Sequence, residues 1–406
     1  MHKTSIFNIK IDFDKSYDSY LYDKNRQKHF LDFFGLYSSL PLGYNHPIFK
    51  DETFLNSYNK LAGIKVTNCE IISDEAESFF LQFSKQDEMK IFKHFHFCCT
   101  GALAIEASIK TAIDHKCSST PVVISLLESF HGINSYGGFL TDRFFPVSER
   151  LKGMPTMKWH KIHNPKIIYK NGEKDNELTK SGLEQFEAEF NTIIDNYGKE
   201  NVAALLVEPI QATYGDNYFP KAFFKLIRSL CDKFNICLIF DEIQTGFGST
   251  GKLWYYQFLD IEPDIVAFGK KTQVSGIMVK ENFSKIFQKP IRLEVTWDGD
   301  LIDMLRCQYI LKAYKKYNIL KNVNERSEEL LSALKQIDAL QNVRRQGLMF
   351  AFDFICSKEQ EHFVSKAFEN GLLFNRTRDK TIRFRPNLNV SSEEIQEAVN
   401  IIRKIY

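Results

Sequence analysis

Between residues 100 and 270 the chain keeps switching between two patterns, and this alternation limits the possible folds more than any other feature. Short, strongly apolar runs read as buried strands: Pro121–Leu127 (PVVISLL), Val202–Val207 (VAALLV), Ile236–Phe240 (ICLIF) and Asp264–Phe268 (DIVAF). Around and between them, Ala102–His115, Leu183–Tyr197 and Lys221–Phe234 place apolar side chains at helical spacing. A strand that is apolar on both faces needs cover on both. The pattern therefore predicts an α/β domain with a mostly parallel sheet flanked by helices. Ligands of such sheets bind beyond the carboxyl ends of the strands.

The flanks read differently. Residues 1–50 hold short strands and turns, among them Phe30–Leu36. From 299 onward come a long helix, Leu301–Tyr317, strand-like Leu348–Ile355 and Thr381–Arg385, and a last helix over Ser391–Ile405. That helix opens on Ser-Ser-Glu-Glu, a capping pattern. We expect residues 1–60 and 299–406 to build one small α+β domain beside a large domain over 61–298.

Composition removes several function classes. Lys and Arg number 53 against 51 Asp and Glu, so no basic footprint points to nucleic acid. No apolar run is long enough to span a bilayer. The first residues, Met1–Ile6, lack the apolar stretch of a secretory signal. The eight cysteines are scattered with no C-x-x-C pair, and the ten histidines show no zinc pattern. The expectation is a cytoplasmic enzyme with reduced cysteines and no metal, in which Cys98 and Cys99 pack as small apolar groups in a strand over Phe95–Cys99.

The strand ends carry the chemistry. Ile236–Phe240 runs into Asp241-Glu242-Ile243-Gln244, Asp264–Phe268 into Gly269-Lys270-Lys271, and Val202–Val207 into Glu208. Phe130-His131 follows Pro121–Leu127. One sheet edge thus collects a lysine, two carboxylates and an aromatic ring. Pyridoxal 5′-phosphate needs this set. Its aldehyde condenses with a lysine amine, and its ring withdraws electrons strongly only while a carboxylate keeps the pyridine nitrogen protonated. An aromatic face covers the ring. Thr100-Gly101-Ala102, opening a helix, offers backbone N–H groups to the phosphate.

The motifs Glu208-Pro-Ile-Gln, Asp241-Glu-Ile-Gln-Thr-Gly and Asp264-Ile-Val-Ala-Phe-Gly-Lys270 resemble those of class III pyridoxal-phosphate-dependent aminotransferases. Ala267–Gly276, Trp254–Gln257 and Thr296-Trp297 look most like the L-lysine 6-aminotransferase branch. The resemblance runs from Phe33-Phe34-Gly35 to Arg383-Phe384-Arg385-Pro386. It implies a fold-type-I enzyme that moves an amino group between a terminal amine, such as the lysine side chain, and 2-oxoglutarate or glutamate.

It also implies roles. Lys270 matches the Schiff-base lysine and proton carrier, with Lys271 as the alternative. Asp241 matches the partner of the pyridine nitrogen, Glu208 the carboxylate beneath the ring, and Phe130 the stacking aromatic beside His131. Ile243 and Gln244 match ring contacts, and Gly101 and Ala102 the phosphate-binding amides. Thr296 matches a threonine that reaches the phosphate of a second subunit, which implies a homodimer with shared sites. Arg383 matches the arginine that takes the carboxylate of glutamate or 2-oxoglutarate, a bidentate fork.

Two substrate-binding positions depart from the branch. Ile133 stands where it carries a carboxylate-binding arginine after Phe-His-Gly, and Thr213 stands where it carries a glutamate that pairs with the arginine matched by Arg383. An isoleucine holds no carboxylate. A different amine or aldehyde (a diamine, an amino sugar, a carrier-bound or specialised-metabolite precursor) therefore remains open as substrate, as does an aminomutase reaction.

Overall fold

Seven strands form one sheet at the heart of the computed structural model, which describes residues 7–66, 71–144, 146–170 and 173–406. In chain order they are β1 (His94–Cys98), β2 (Val122–Leu126), β3 (His160–Ile162), β4 (Val202–Val207), β5 (Cys237–Asp241), β6 (Ile265–Phe268) and β7 (Ser275–Val279). Their order across the sheet is β1-β7-β6-β5-β4-β2-β3. Pairing is parallel from β6 through β5, β4 and β2 to β3, and β7 runs antiparallel to both its neighbours. The sheet is therefore mostly parallel, and every residue of β2, β4, β5, β6 and β7 is buried.

Helix α1 (Gly101–Lys116) begins where expected, because the hydroxyl of Thr100 accepts the Leu103 N–H at 3.4 Å as an N-cap. Its buried face is made of small and β-branched residues, Ala104, Ile105, Ile109 and Ala112. They let the helix close onto Ala204, Leu206, Ile239, Ile265 and Ala267 of the sheet. Each isoleucine buried there contributes roughly 1.5–3 kcal/mol of transfer free energy. Helix α2 (Ser135–Leu140) is short, and helices α3 (Asn176–Tyr197) and α4 (Lys221–Phe234) flank the sheet in chain order with the strands. In α4, Phe223, Phe224, Ile227, Leu230 and Cys231 form the buried stripe. Cys98 ends β1, buried, with its thiol pushed up by that burial; Cys69 and Met1–Ile6 lie outside the described residues.

The chain divides into two compact units, residues 60–247 with 252–308, and residues 1–59 with 248–251 and 309–406. The second is α+β and draws on both chain ends. Strands Ile11–Tyr17, Tyr20–Asp23 and Lys28–Asp32 form a sheet to which Leu372–Leu373 adds in parallel. Strands Gln341–Gln346, Met349–Asp353, Thr381–Phe384 and Asn375–Thr377 form another. The two ends are stitched through one carboxylate. Glu394 accepts the Ser391 N–H at 2.7 Å in the predicted capping box and the Ser19 N–H at 3.0 Å. Gly35 sits at φ +55°, against the Arg385 carbonyl, where a Cβ has no room.

Candidate active site

Parallel neighbours end at one edge of the sheet, and this brings together residues far apart in sequence. Asp241 is the last residue of β5, Glu208 follows β4, Lys270 follows β6 by two residues, and Phe130 and His131 follow β2. Around that edge lies a cavity of about 210 Å³. Of the predicted residues, Gly101, Ala102, Phe130, His131, Glu208, Thr213, Asp241, Ile243, Gln244 and Lys270 line it. Lys271, only 3% exposed, is not part of the lining. Gly132, Ile210 and Thr245 complete it.

Three residues from the predicted set are not among the lining. Ile133 is 52% exposed, and Thr296 sits on an exposed loop. Arg383, buried on strand Thr381–Phe384 of the other unit, places its guanidinium 3.5 Å from the Asn375 side-chain oxygen.

The Asp241 carboxylate is held from two sides. Its Oδ1 accepts the Ile243 N–H at 3.1 Å, and its Oδ2 lies 2.9 Å from Nδ1 of the fully buried His131 side chain. His131 is itself fixed, since its N–H bonds the Thr141 hydroxyl at 2.8 Å and that hydroxyl donates to the Gly132 carbonyl at 2.6 Å. Thr141 carried no sequence signal. Glu208 accepts the Phe130 N–H at 2.8 Å. Burial and the nearby Asp241 charge push its carboxyl well above the ordinary range, against the pull of the Phe130 N–H and the Lys270 ammonium. Lys270 has φ +57°, left-handed backbone that a lysine adopts only where surroundings impose it.

At the start of α1 the N–H groups of Gly101 and Ala102 have no intrahelical partner. They have no other acceptor among the described residues and line the cavity. A Cβ on Gly101 would stand 2.9 Å from Cδ1 of Ile243, so only glycine lets the helix start approach this closely. A cationic amine, carboxylates at the strand ends and spare amides at a helix N-terminus match the donor set that pyridoxal 5′-phosphate needs.

Glu242, beside Asp241, turns away from the cavity lining into the protein. It accepts N–H groups of Tyr255 at 2.6 Å and Tyr256 at 2.9 Å and the Thr245 hydroxyl at 3.2 Å. Burial pushes its carboxyl up to about 7. The folded chain thus keeps this proton up to about pH 7, whereas an unfolded chain releases it near about 4.3. Between those values the folded state binds more protons, so this group's contribution to stability falls as pH rises. Glu242→Gln removes the titration. In urea unfolding, the variant is expected to gain stability relative to the parent between about pH 5 and pH 7.5. Parallel pH profiles for the two would contradict the assignment.

Comparison with known proteins follows the same lines. The model of the family Aminotransferase class-III matches residues 2–406. An L-lysine-epsilon aminotransferase of Mycobacterium tuberculosis is 32% identical over 420 residues, 98% of this chain and 91% of the relative. A protein of the same description from Streptomyces clavuligerus is 29% identical over 416 residues, 98% of this chain and 90% of its own length. The solved structure of a lysine aminotransferase from M. tuberculosis in the internal aldimine form superposes with a TM-score of 0.92 at 30% identity, covering 100% of this chain and 96% of that one. The architecture is accordingly fold type I. A match of this length and identity makes the chain a member of the class III aminotransferases, enzymes that work with pyridoxal 5′-phosphate.

Proposed function

We propose that this aminotransferase moves the amino group of a terminal amine of the lysine side-chain type to 2-oxoglutarate, forming glutamate. The observation that carries the reading is the meeting of Lys270, Asp241 and Glu208 on one cavity beside two spare helix-start amides. The likeness to L-lysine-epsilon aminotransferases over 98% of the chain supports the donor class. When bound, the cofactor supplies a conjugated ring that takes up the electron pair left by C–H deprotonation and stores the amino group between the two half-reactions.

The chain's residues do the rest. Lys270 anchors the cofactor, takes the proton from the carbon bearing the transferred amine and returns it on the cofactor side. Asp241, oriented by His131, keeps a proton on the ring nitrogen. Gly101 and Ala102 hold the phosphate through their N–H groups, and Phe130, Ile243 and Gln244 confine the ring. Glu208 is the carboxyl beneath it. Arg383 takes a carboxylate of 2-oxoglutarate through its bidentate fork.

Thr296 serves the phosphate of a second subunit, which makes the working unit a homodimer with shared sites in the cytoplasm. The chain around it exposes Ile291 at 90%, Val295 at 45% and Trp297 at 49%, apolar surface of the kind an interface covers. Ile133 and Thr213, in place of the branch's charged pair, favour a second reading in which another terminal amine is the natural donor.

An amine screen with 2-oxoglutarate as acceptor, reading glutamate, tests both. Terminal amines are expected to lead the screen, with lysine among the active donors. Activity confined to α-amines would refute the donor class, and turnover independent of any keto acid would point to an aminomutase.

A further inference from the structure

A substrate carboxylate needs a cation, and Ile133, just past the cavity wall at Phe130, His131 and Gly132, offers none. The backbone brings one from ten residues further on. Helix α2 turns the chain back on itself, so that Asp142 and Arg143 both donate their N–H groups to the Ser129 carbonyl, at 2.9 and 3.0 Å. Arg143 therefore lies against the residue that precedes Phe130, an aromatic wall of the cavity. Its Nε donates to the backbone carbonyl of Thr213, another lining residue, at 3.4 Å.

The guanidinium lies over two aromatic rings. Its central carbon sits 4.6 Å from the ring centre of Phe144 and 5.0 Å from that of Tyr214. The Phe144 ring meets Phe130 edge to face with centroids 5.8 Å apart. Arg150 clamps the turn by donating to the Arg143 carbonyl at 2.9 Å. A guanidinium carries five N–H donors. Among the described residues, Arg143 places only its Nε in a hydrogen bond and has no ion-pair partner. An arginine in contact with two rings and tied to the lining residue Thr213, its outer donors unspent, is pre-organised for a planar anion.

We infer that Arg143 binds the carboxylate of the amino donor, at the end of the substrate away from the transferred amine, supplying the charge that Ile133 lacks. This rests on the reading of the cavity as a terminal-amine transaminase site. It makes Arg143 a specificity residue: the enzyme selects ω-amino acids over diamines.

The test compares the holoenzyme with Arg143→Gln and Arg143→Lys. L-Lysine and cadaverine share the reacting amine and differ by one carboxylate. Their ratio of kcat/KM is expected to fall by about tenfold or more in R143Q, chiefly through the KM for lysine, with R143K between, because an ammonium lacks the fork. An unchanged ratio would overturn the inference, because a merely structural role lowers both substrates together.

A second measurement needs no turnover. Hexanoate and its uncharged counterpart hexanamide are titrated as dead-end ligands against the cofactor absorbance. Hexanoate is expected to bind the parent better than hexanamide and to lose about tenfold of that preference in R143Q. Equal binding of the two by the parent, or an unaltered preference in R143Q, would overturn the inference. A parent that turns over neither amine refutes the donor class, while the hexanoate titration still decides the role of Arg143.

Discussion

Lys270→Ala is expected to lower kcat/KM by about 10⁴-fold or more while leaving the fold intact. Two functions fall together in this substitution, the covalent anchor for the cofactor and the group that carries the proton. Neither is open to Lys271, which is 3% exposed and absent from the cavity lining. The backbone at residue 270, at φ +57°, is not one that alanine relaxes, so the loop keeps its course. Arginine at 270 keeps the charge but cannot form the imine, and the same loss is expected of it. Circular dichroism and glutamate formation, measured on the same preparations, separate a folding defect from a chemical one. A variant retaining more than about one hundredth of the parent rate would sink the assignment of Lys270.

Asp241→Asn is expected to cost about 10²–10³-fold in kcat. The amide keeps the size of the side chain and leaves an oxygen to accept the Ile243 N–H, now 3.1 Å from Oδ1. It loses the charge. Without that charge the pull on the ring-nitrogen proton weakens, and the ring becomes a poorer electron acceptor. The His131 contact at 2.9 Å also loses its charged carboxylate partner. One upward push on Glu208 disappears as well, so its carboxyl moves back toward the ordinary carboxylate range. Single-turnover rates at saturating cofactor measure the chemical step. A deficit that extra cofactor fully repairs would assign Asp241 to cofactor retention alone.

The legible parts of this molecule were those where local pattern and tertiary burial agree. Strand β4 covers the expected Val202–Val207, and α4 covers Lys221–Phe234, because an all-apolar run and a clean amphipathic stripe leave little choice of boundary. Strand β5 ends one residue later than expected. Asp241 still pairs with Ala267 in the ladder, and the carboxylate that looked like a loop residue is held on the sheet itself. Helix α3 begins at Asn176, ahead of the expected Leu183, since its polar first turns are secured by the Asp175 side chain accepting the Leu178 N–H.

Strand β7 stands outside the alternating pattern. Its run, Ser275–Val279, follows β6 with only the single 3-10 turn Lys270–Thr272 between them, and the alternation of strands and helices does not reveal an antiparallel neighbour. In the site, the residues set by strand ends were readable, because topology delivers every parallel strand's end to one edge. Thr141 and Arg143 were not. They reach the lining residues His131 and Thr213 through a six-residue helix that folds the chain back, and no spacing in sequence encodes that return.

The covalent bond between Lys270 and the cofactor is open to a single trapping experiment. The holoenzyme is reduced with borohydride, digested, and its peptides mapped by mass spectrometry. The phosphopyridoxyl group is predicted on the peptide containing Lys270, at that side chain and no other. Its appearance on Lys271 or another lysine, or its absence from a protein saturated with cofactor, would contradict the account.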